Sequence, residues 1–243
     1  MWQWSALFMK DFKLTRTVFF IGLVLNAWVA ILTLYMEKAD SLLMFVPLAI
    51  AIAVHVIYVP LMVFIGLKAE GNLHLWLSNP QPAFKLLMSK VSNGLAMVVI
   101  SFASLYAFTE LLTVHKLSWI ESYWTDIWRM GWFIIPHVIW LSIELSVWVM
   151  ALWAIYQSLK QRIGRWSWAA VVGAAILSGG GNALFKSSAL YRHVADWGGR
   201  TYHFPALLSE PIHTYAGGYV YDMIITVGLF ILTAWIVDNK VEG

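Results

Sequence analysis

Six long apolar runs divide the amino-acid sequence, and short polar segments separate them. A helix needs about 20 apolar residues to cross the hydrocarbon core of a bilayer, and each run is close to or above that length. Segments of about ten residues with alternating polarity, which would indicate a transmembrane β-barrel, do not occur. The pattern therefore predicts an all-α integral membrane protein with six transmembrane helices, over residues 17–35, 42–67, 91–112, 130–159, 167–185 and 219–237.

The first 16 residues precede the first apolar run and have an amphipathic pattern of their own. Trp4, Leu7, Phe8 and Phe12 fall on one side of a helix, whereas the charged residues lie largely elsewhere. A helix with such a face lies in the membrane interface. The alternative is an N-terminal extension of the first span.

Residues 68–90 form the longest connection on the side of the chain termini, and Pro80 and Pro82 interrupt it. Pro82 is suited to the first turn of a short helix. That helix would have one apolar and one polar face, formed by Phe84, Leu87 and Met88 and by Lys85 and Ser89, respectively. Such a helix packs against a membrane or into the groove of a partner. The alternative is an extension of the third span.

The segment between the fifth and sixth runs, residues 186–218, is the longest stretch outside the predicted spans. It contains moderately apolar patches that glycine and proline break up. We expect short helices that enter the membrane again and are covered by protein. The alternative is an ordinary folded loop.

Composition and charge support a membrane protein. Hydrophobic residues make up 60% of the 243 residues and charged residues only 12%, against roughly 25% charged in soluble domains. An ordinary soluble enzyme, a disordered chain and a nucleic-acid-binding module are thereby excluded. Ten of the 16 basic residues fall on the side of the termini, so the positive-inside rule predicts that both termini are cytoplasmic. We interpret residues 1–243 as a single transmembrane domain, without cysteine and therefore without disulfides.

Ionisable residues inside the predicted spans are the main candidates for a polar pathway. His55 and Glu144 lie near the middle of the second and fourth spans, and Glu110 and Asp222 lie near the outer ends of the third and sixth. An ionised side chain at the bilayer centre costs about 3 kcal/mol or more unless it faces protein or water. We therefore interpret these four residues as belonging either to a translocation path or to contacts between helices.

Motifs for nucleotide or metal chemistry are not found in the sequence. Residues 180–187 approach the phosphate-binding loop pattern, but Phe185 occupies the place of its second glycine. The seven histidines are dispersed without metal-ligand spacing. We therefore predict no enzymatic activity, no catalytic residues and no metal site. One alternative is a membrane-embedded enzyme that uses Glu144, His137 or the histidines between spans five and six. Another is a sensory or immunity subunit that binds a peptide or an antibiotic at residues 186–218.

The order of these parts resembles a known family. Within residues 73–95, the run Leu77-Ser78-Asn79-Pro80 is followed by Phe84-Lys85-Leu86-Leu87 and then by Lys90. This pattern is similar to the turn and lysine-bearing helix in the permease subunit of type-2 ABC exporters, in the short six-span form of Gram-positive bacteria. The resemblance covers the layout of the whole chain, while its sequence specificity is confined to about 25 residues of this segment.

The resemblance implies a division of labour between subunits. Residues 1–16 would be an elbow helix, residues 68–90 would contain a coupling helix that docks on a separate cytoplasmic ABC ATPase, and residues 186–218 would form re-entrant helices. ATP and Mg would bind the ATPase, so the permease itself would bind no cofactor. A second permease, either a copy or a paralogue, would complete the exporter in the bacterial plasma membrane. The expected ATPase contacts are Glu70, Pro80, Pro82, Phe84, Lys85, Leu87 and Met88.

Overall fold

The six predicted spans are present as helices in the computed structural model. It describes the chain in five ranges: residues 2–37, 45–72, 81–113, 124–205 and 210–241. Within them, six helical segments are long and apolar enough to cross a membrane, and each overlaps one of the predicted runs. The prediction of a helical, multi-pass membrane protein is therefore confirmed.

Eight α-helices follow one another along the described chain. They are α1 Trp2–Glu37, α2 Phe45–Val54, α3 Tyr58–Asn72, α4 Ala83–Thr113, α5 Trp124–Ile163, α6 Ser167–Ser187, α7 Ala189–Ala195 and α8 Ala216–Ile236. The second span consists of α2 and α3, joined by the 3-10 turn His55–Ile57. Pro60 explains this turn, because it has no N–H and its ring clashes with the carbonyl of Val56, four residues earlier.

The N-terminal residues do not form a separate interfacial helix, because α1 runs without a break from Trp2 to Glu37. At 1.5 Å per residue, α1 is about 54 Å long, which exceeds the roughly 30 Å hydrocarbon core of a bilayer. The sequence contains no glycine or proline between Trp2 and Phe20, so no residue breaks the helical hydrogen bonds there. The alternative, an extension of the first span, describes the observed helix.

The short helix predicted after Pro82 is likewise part of a longer one. α4 begins at Ala83 and continues to Thr113, so that the predicted coupling helix and the third span are one element. Again no proline follows within the helix, and its single glycine, Gly94, lies where α4 packs against a neighbour. Propagation of an existing helix requires no new nucleation, and this favours one long helix over two short ones.

The segment between the fifth and sixth spans contains a β-hairpin, which corrects the all-α prediction. Strand β1, Gly199–Tyr202, pairs antiparallel with β2, Ile212–Tyr215. Before it lies α7, the one helix of this segment in the described ranges, where several re-entrant helices were predicted. Gly198 has a φ of +66° and redirects the chain after α7. The strands are rich in β-branched and aromatic residues, which favour extended backbone.

By its internal contacts the chain divides into two compact units. Unit 1 consists of Met1–Pro80 and Lys85–Ser146, and in it α1 packs against α2 and α3. α4 approaches α3 closely at Gly94, where an added Cβ would lie 2.7 Å from Cγ1 of Val59. The fully buried apolar side chains of this unit include Val59, Met62, Val63, Leu67, Leu87, Met97 and Val98.

Unit 2 consists of Gln81–Phe84 and Val147–Gly243. α7 packs against α6 and α8, and strand β2 leads directly into α8. The rings of Phe185, Tyr191 and Tyr221 form a cluster with centroids 5.2–5.8 Å apart, and the Tyr221 hydroxyl donates to Oδ1 of Asn182 at 3.0 Å. This cluster fixes the end of α6 against the start of α8.

Candidate coupling site

The predicted ATPase contacts separate into exposed and buried residues. Phe84 and Met88 are 49% and 43% exposed at the start of α4, and Lys85 is also exposed. Pro82 is exposed just before the helix, whereas Pro80 lies outside the described residues. Exposed side chains at a helix start are available to a partner protein.

Leu87 and Glu70 lie inside unit 1 instead. Leu87 has no exposed surface and Glu70 is 2% exposed. The helical spacing explains the position of Leu87, because the buried stripe of α4 follows the spacing i, i+3, i+4 and i+7 through Ala83, Leu86, Leu87 and Lys90. A buried stripe that contains a lysine does not stand out in the hydrophobic pattern, so the sequence pattern predicted Leu87 to lie on the docking face.

Glu70 belongs to a cluster of four charged residues, Lys10, Asp11, Glu70 and Lys90, which we call the ion network. Three of them are buried, and the side chain of Lys10 is 35% exposed. Nζ of Lys90 lies 2.9 Å from Oε2 of Glu70 and 2.9 Å from Oδ1 of Asp11. Nζ of Lys10 pairs with the other carboxylate oxygen of Glu70. The formal charges of the four side chains cancel, which is the condition under which charges are tolerated in a protein interior.

Hydroxyl and amide groups complete this cluster. The Ser89 hydroxyl donates to Oδ2 of Asp11 at 2.6 Å, so both carboxylate oxygens of Asp11 have partners. One turn further, Nδ2 of Asn93 donates to Oγ1 of Thr15 at 3.0 Å, and that hydroxyl donates to the carbonyl of Asp11. α1, α3 and α4 are thus tied together at the two ends of the predicted coupling segment.

Most of this cluster was not predicted from the sequence. Lys10 and Asp11 were interpreted only as charges of the N-terminal segment, and Lys90 only as the lysine that ends the coupling motif. The signal that could have identified them is polar side chains four residues apart, which recur on one face of an apolar helix: Asp11 and Thr15 in α1, and Ser89 and Asn93 in α4.

A second polar cluster lies around His55 in unit 1. Nδ1 of His55 lies 2.6 Å from the carbonyl of Ala51, which can only accept, so Nδ1 is the donor. Nε2 therefore accepts from the Ser101 hydroxyl at 2.9 Å, and Asn26 donates to Ser101 and Ser104 at 3.0 Å. A serine and a histidine in this arrangement resemble a nucleophile and its base. Ser101 is fully buried and His55 is 4% exposed, and the cluster connects α1, the turn His55–Ile57 and α4.

The remaining ionisable candidates are Glu144, Glu110, Asp222 and His137. Glu144 is half-buried in α5, and Glu110 in α4 accepts a hydrogen bond from Tyr106, one turn earlier. Asp222 in α8 forms an ion pair with Lys186 of α6, with a distance of 2.7 Å between Oδ1 and Nζ. Nδ1 of His137 lies 2.5 Å from the carbonyl of Phe133 within its own helix. The structure thus gives Asp222 a contact between helices.

Metal-ligating side chains do not converge within the described residues, where no group of three His, Cys, Asp or Glu has a suitable arrangement. Of the histidines between the fifth and sixth spans, His213 contacts the Thr201 hydroxyl across the hairpin, with Nδ1 and Oγ1 3.1 Å apart. This is a cross-strand pair of the kind that stabilises a hairpin.

Comparison with known proteins identifies a relative but no function. A protein of Bacillus subtilis (strain 168) described as uncharacterized protein YhcE is 27% identical over 208 residues, which cover 79% of this chain and 80% of the relative. No protein-family model matches the chain, and no solved structure matches it. The similarity therefore extends over most of both chains, and the relative's description names no activity.

Proposed function

We propose that this chain is the membrane-spanning permease subunit of an ATP-driven ABC exporter, and that a separate subunit hydrolyses ATP. The observation that supports the proposal best is the position of the ion network. Glu70 lies near the first end of the segment 68–90, and Lys90 is its last residue. Both pair with side chains of α1, so the segment that would contact an ATPase is anchored to three helices at once.

This anchoring is suited to transmitting a movement. A force applied to the connection between α3 and α4 acts on α1 as well, because charge-assisted hydrogen bonds are among the strongest side-chain contacts in a protein. Asp11, Glu70 and Lys90 are buried, so water weakens the contacts among these three little, whereas the side chain of Lys10 is 35% exposed. Closure of two ATPases around ATP would therefore shift α1, α3 and α4 together and change access to the translocation path.

The surface that we propose for the ATPase consists of Phe84, Lys85 and Met88, with Pro82 before them. Pro80 belongs to the proposal by its place in the sequence alone. Phe84 and Met88 present apolar side chains, and Lys85 presents an ammonium group. Such a surface is suited to a groove with apolar walls and an acidic rim. Leu87 and Glu70 stand behind this surface. Their role in our proposal is to hold the start of α4 in place.

The proposal includes an orientation of the chain in the membrane and a second permease subunit. The excess of basic residues on the side of the termini supports cytoplasmic termini in a bacterial plasma membrane. A second permease, identical or paralogous, would complete the path. The fifth span supports this, because none of its apolar window is buried within the chain. ATP and Mg would reside on the ATPase.

Site-directed cross-linking tests the proposal directly, because the chain contains no cysteine. A photoreactive maleimide is attached to the variant Met88→Cys in membranes of the native host, and the products are identified by mass spectrometry. The matched control is Val99→Cys in the same helix, where the exposed fraction is 49% against 43% for Met88. We expect an ATPase with a phosphate-binding loop in the product of the first variant and not in that of the second.

The proposal fails if Met88→Cys yields no ATPase, or if both variants yield it equally. A product that contains a peptide-processing or other membrane protein in place of an ATPase would also contradict it. The control Val99→Cys identifies proteins that lie near α4 within the bilayer, since Val99 lies eleven residues further into the span than Met88.

A further inference from the structure

A cavity of about 270 Å³ lies in unit 2, where α7, strand β2 and the start of α8 meet. Drug-sized ligands occupy pockets of roughly 300–1,000 Å³, so this cavity has room for one compact chemical group. It is distinct from the ion network and from the coupling segment, and neither contributes a residue to its lining.

Tyrosine rings and carboxylates dominate the lining. Tyr191, Tyr215 and Tyr219 contribute the rings, and Asp196 and Asp222 contribute the carboxylates, while no lysine or arginine of the described chain lines the cavity. The face of an aromatic ring carries partial negative charge and attracts a cation within about 6 Å. Rings and carboxylates together therefore favour a positively charged group.

The same part of the fold already holds one ammonium group in this way. Nζ of Lys186 lies 2.7 Å from Oδ1 of Asp222 and 5.8 Å from the ring centroid of Tyr221. A carboxylate and a tyrosine ring thus contact an alkylammonium group beside the cavity. Lys186 neutralises Asp222, so that Asp196 supplies the negative charge that remains for a ligand.

Three features oppose a cation: the Lys186 ammonium beside Asp222, the imidazole of His213 in the lining when it is protonated, and the start of α8, because the N-terminus of a helix carries partial positive charge. The first two amides of α8 are already engaged: the N–H of Ala216 donates to the carbonyl of Gly198, and that of Gly217 donates to the carbonyl of Trp197. On the other side, Asp196 is the C-cap of α7. A helix C-terminus favours cations, so the end of α7 adds a small attraction, which the short length of this helix limits.

We propose that this cavity binds a compact ammonium group, either quaternary or the primary amine of a lysine-like chain. Asp196 supplies the counter-charge, and Tyr191, Tyr215 and Tyr219 surround the cation. The site goes beyond the proposed export function and is tested separately from it, since binding is measured without an ATPase and without transport.

Equilibrium binding to the purified full-length protein in nanodiscs tests this site. The probes are choline and n-butylammonium, and the control ligand is the neutral isostere of choline in which a tert-butyl group replaces trimethylammonium. We expect at least one ammonium probe to bind at least about fivefold more tightly than the neutral isostere, as the loss of one cation–π or charge contact implies. Tighter binding of choline assigns a quaternary ligand, and tighter binding of n-butylammonium assigns a lysine-like one.

Variants locate the binding in the cavity. Asp196→Asn is expected to weaken the binding of the ammonium probe about fivefold or more, and Tyr219→Leu to weaken it similarly, whereas Tyr219→Phe retains the ring and the affinity. The matched control is Glu210→Gln, an exposed carboxylate near the hairpin that does not line the cavity. Equal affinity for choline and its isostere, no binding by the wild type, or full affinity in both Asp196→Asn and Tyr219→Leu would overturn the assignment.

Discussion

Replacement of Lys90 by methionine is the sharpest test of the ion network. Methionine keeps most of the length of the lysine stem, so the substitution removes the ammonium group without a large loss of packing. Lys90 is 3% exposed and pairs with both Asp11 and Glu70. Without it, Glu70 keeps its pair with Lys10, and the buried carboxylate of Asp11 loses the ammonium group that pairs with it.

The expected magnitude follows from the burial of these charges. Removal of one partner from a buried ion pair destabilises a protein by about 3–5 kcal/mol, because a charge is left without compensation. For a chain of this size each kcal/mol shifts the unfolding temperature by about 2–4 °C. We therefore expect the unfolding temperature of Lys90→Met to fall by about 6–20 °C.

The assay is thermal unfolding of the purified protein in detergent, followed by the loss of the monodisperse peak in size-exclusion chromatography. Lys13→Met is the matched control, because Lys13 lies in the same stretch of α1 as Asp11 but is exposed. Substitutions at such surface positions change stability by about 0.5 kcal/mol or less. The double variant Asp11→Asn with Lys90→Met removes one charge of each sign and leaves the pair of Lys10 and Glu70.

Comparison of the single and double variants separates charge from packing. If the loss of stability arises from an unpaired carboxylate, the double variant recovers at least half of the fall in unfolding temperature seen in Lys90→Met. Such non-additive behaviour is expected of residues that contact each other. The reasoning is refuted if Lys90→Met unfolds at the temperature of Lys13→Met. It is also refuted if the double variant is less stable than Lys90→Met.

Two further predictions concern packing and orientation. Gly94→Ala is expected to destabilise the chain by about 1–3 kcal/mol, because its Cβ would lie 2.7 Å from Cγ1 of Val59, a side chain with little rotamer freedom. A Cβ added at Gly173 would meet open space, so Gly173→Ala is expected to unfold at or above the wild-type temperature. Equal unfolding temperatures of the two variants would contradict the close packing of Gly94 against Val59. In intact cells, a membrane-impermeant maleimide is expected to label Arg200→Cys and not Lys240→Cys, both of which are exposed positions in this cysteine-free chain. The reverse labelling pattern would show that the termini are outside.

The transmembrane spans could be predicted because they depend on local sequence. A backbone in lipid must satisfy its hydrogen bonds internally, so any sufficiently long apolar run forms a helix. The break in the second span was predictable for the same reason, since Pro60 removes a hydrogen bond within its own helix. The N-terminal boundary of the first span was less predictable, because residues 1–16 are compatible both with a separate helix and with the continuous α1 that is observed.

The ion network and the hairpin depended on contacts that lie far apart in the sequence. Lys10 and Glu70 are 60 residues apart, and Asp11 and Lys90 are 79 residues apart. No spacing rule within one helix joins them. Similarly, β1 and β2 are too short for a clear alternating pattern, and each becomes a strand because the other pairs with it.

The sequence by itself therefore determined the class of protein, the number of spans and the side on which basic residues accumulate. These properties are sums over local composition, and each run of residues contributes to them independently. The tertiary structure alone decided which polar residues meet. It placed Glu70 and Leu87 inside the protein and left Phe84 and Met88 at the surface, because helix packing determines which side of α4 is covered. The division between the exposed and the buried residues of the proposed coupling site is thus a property of the assembled helices.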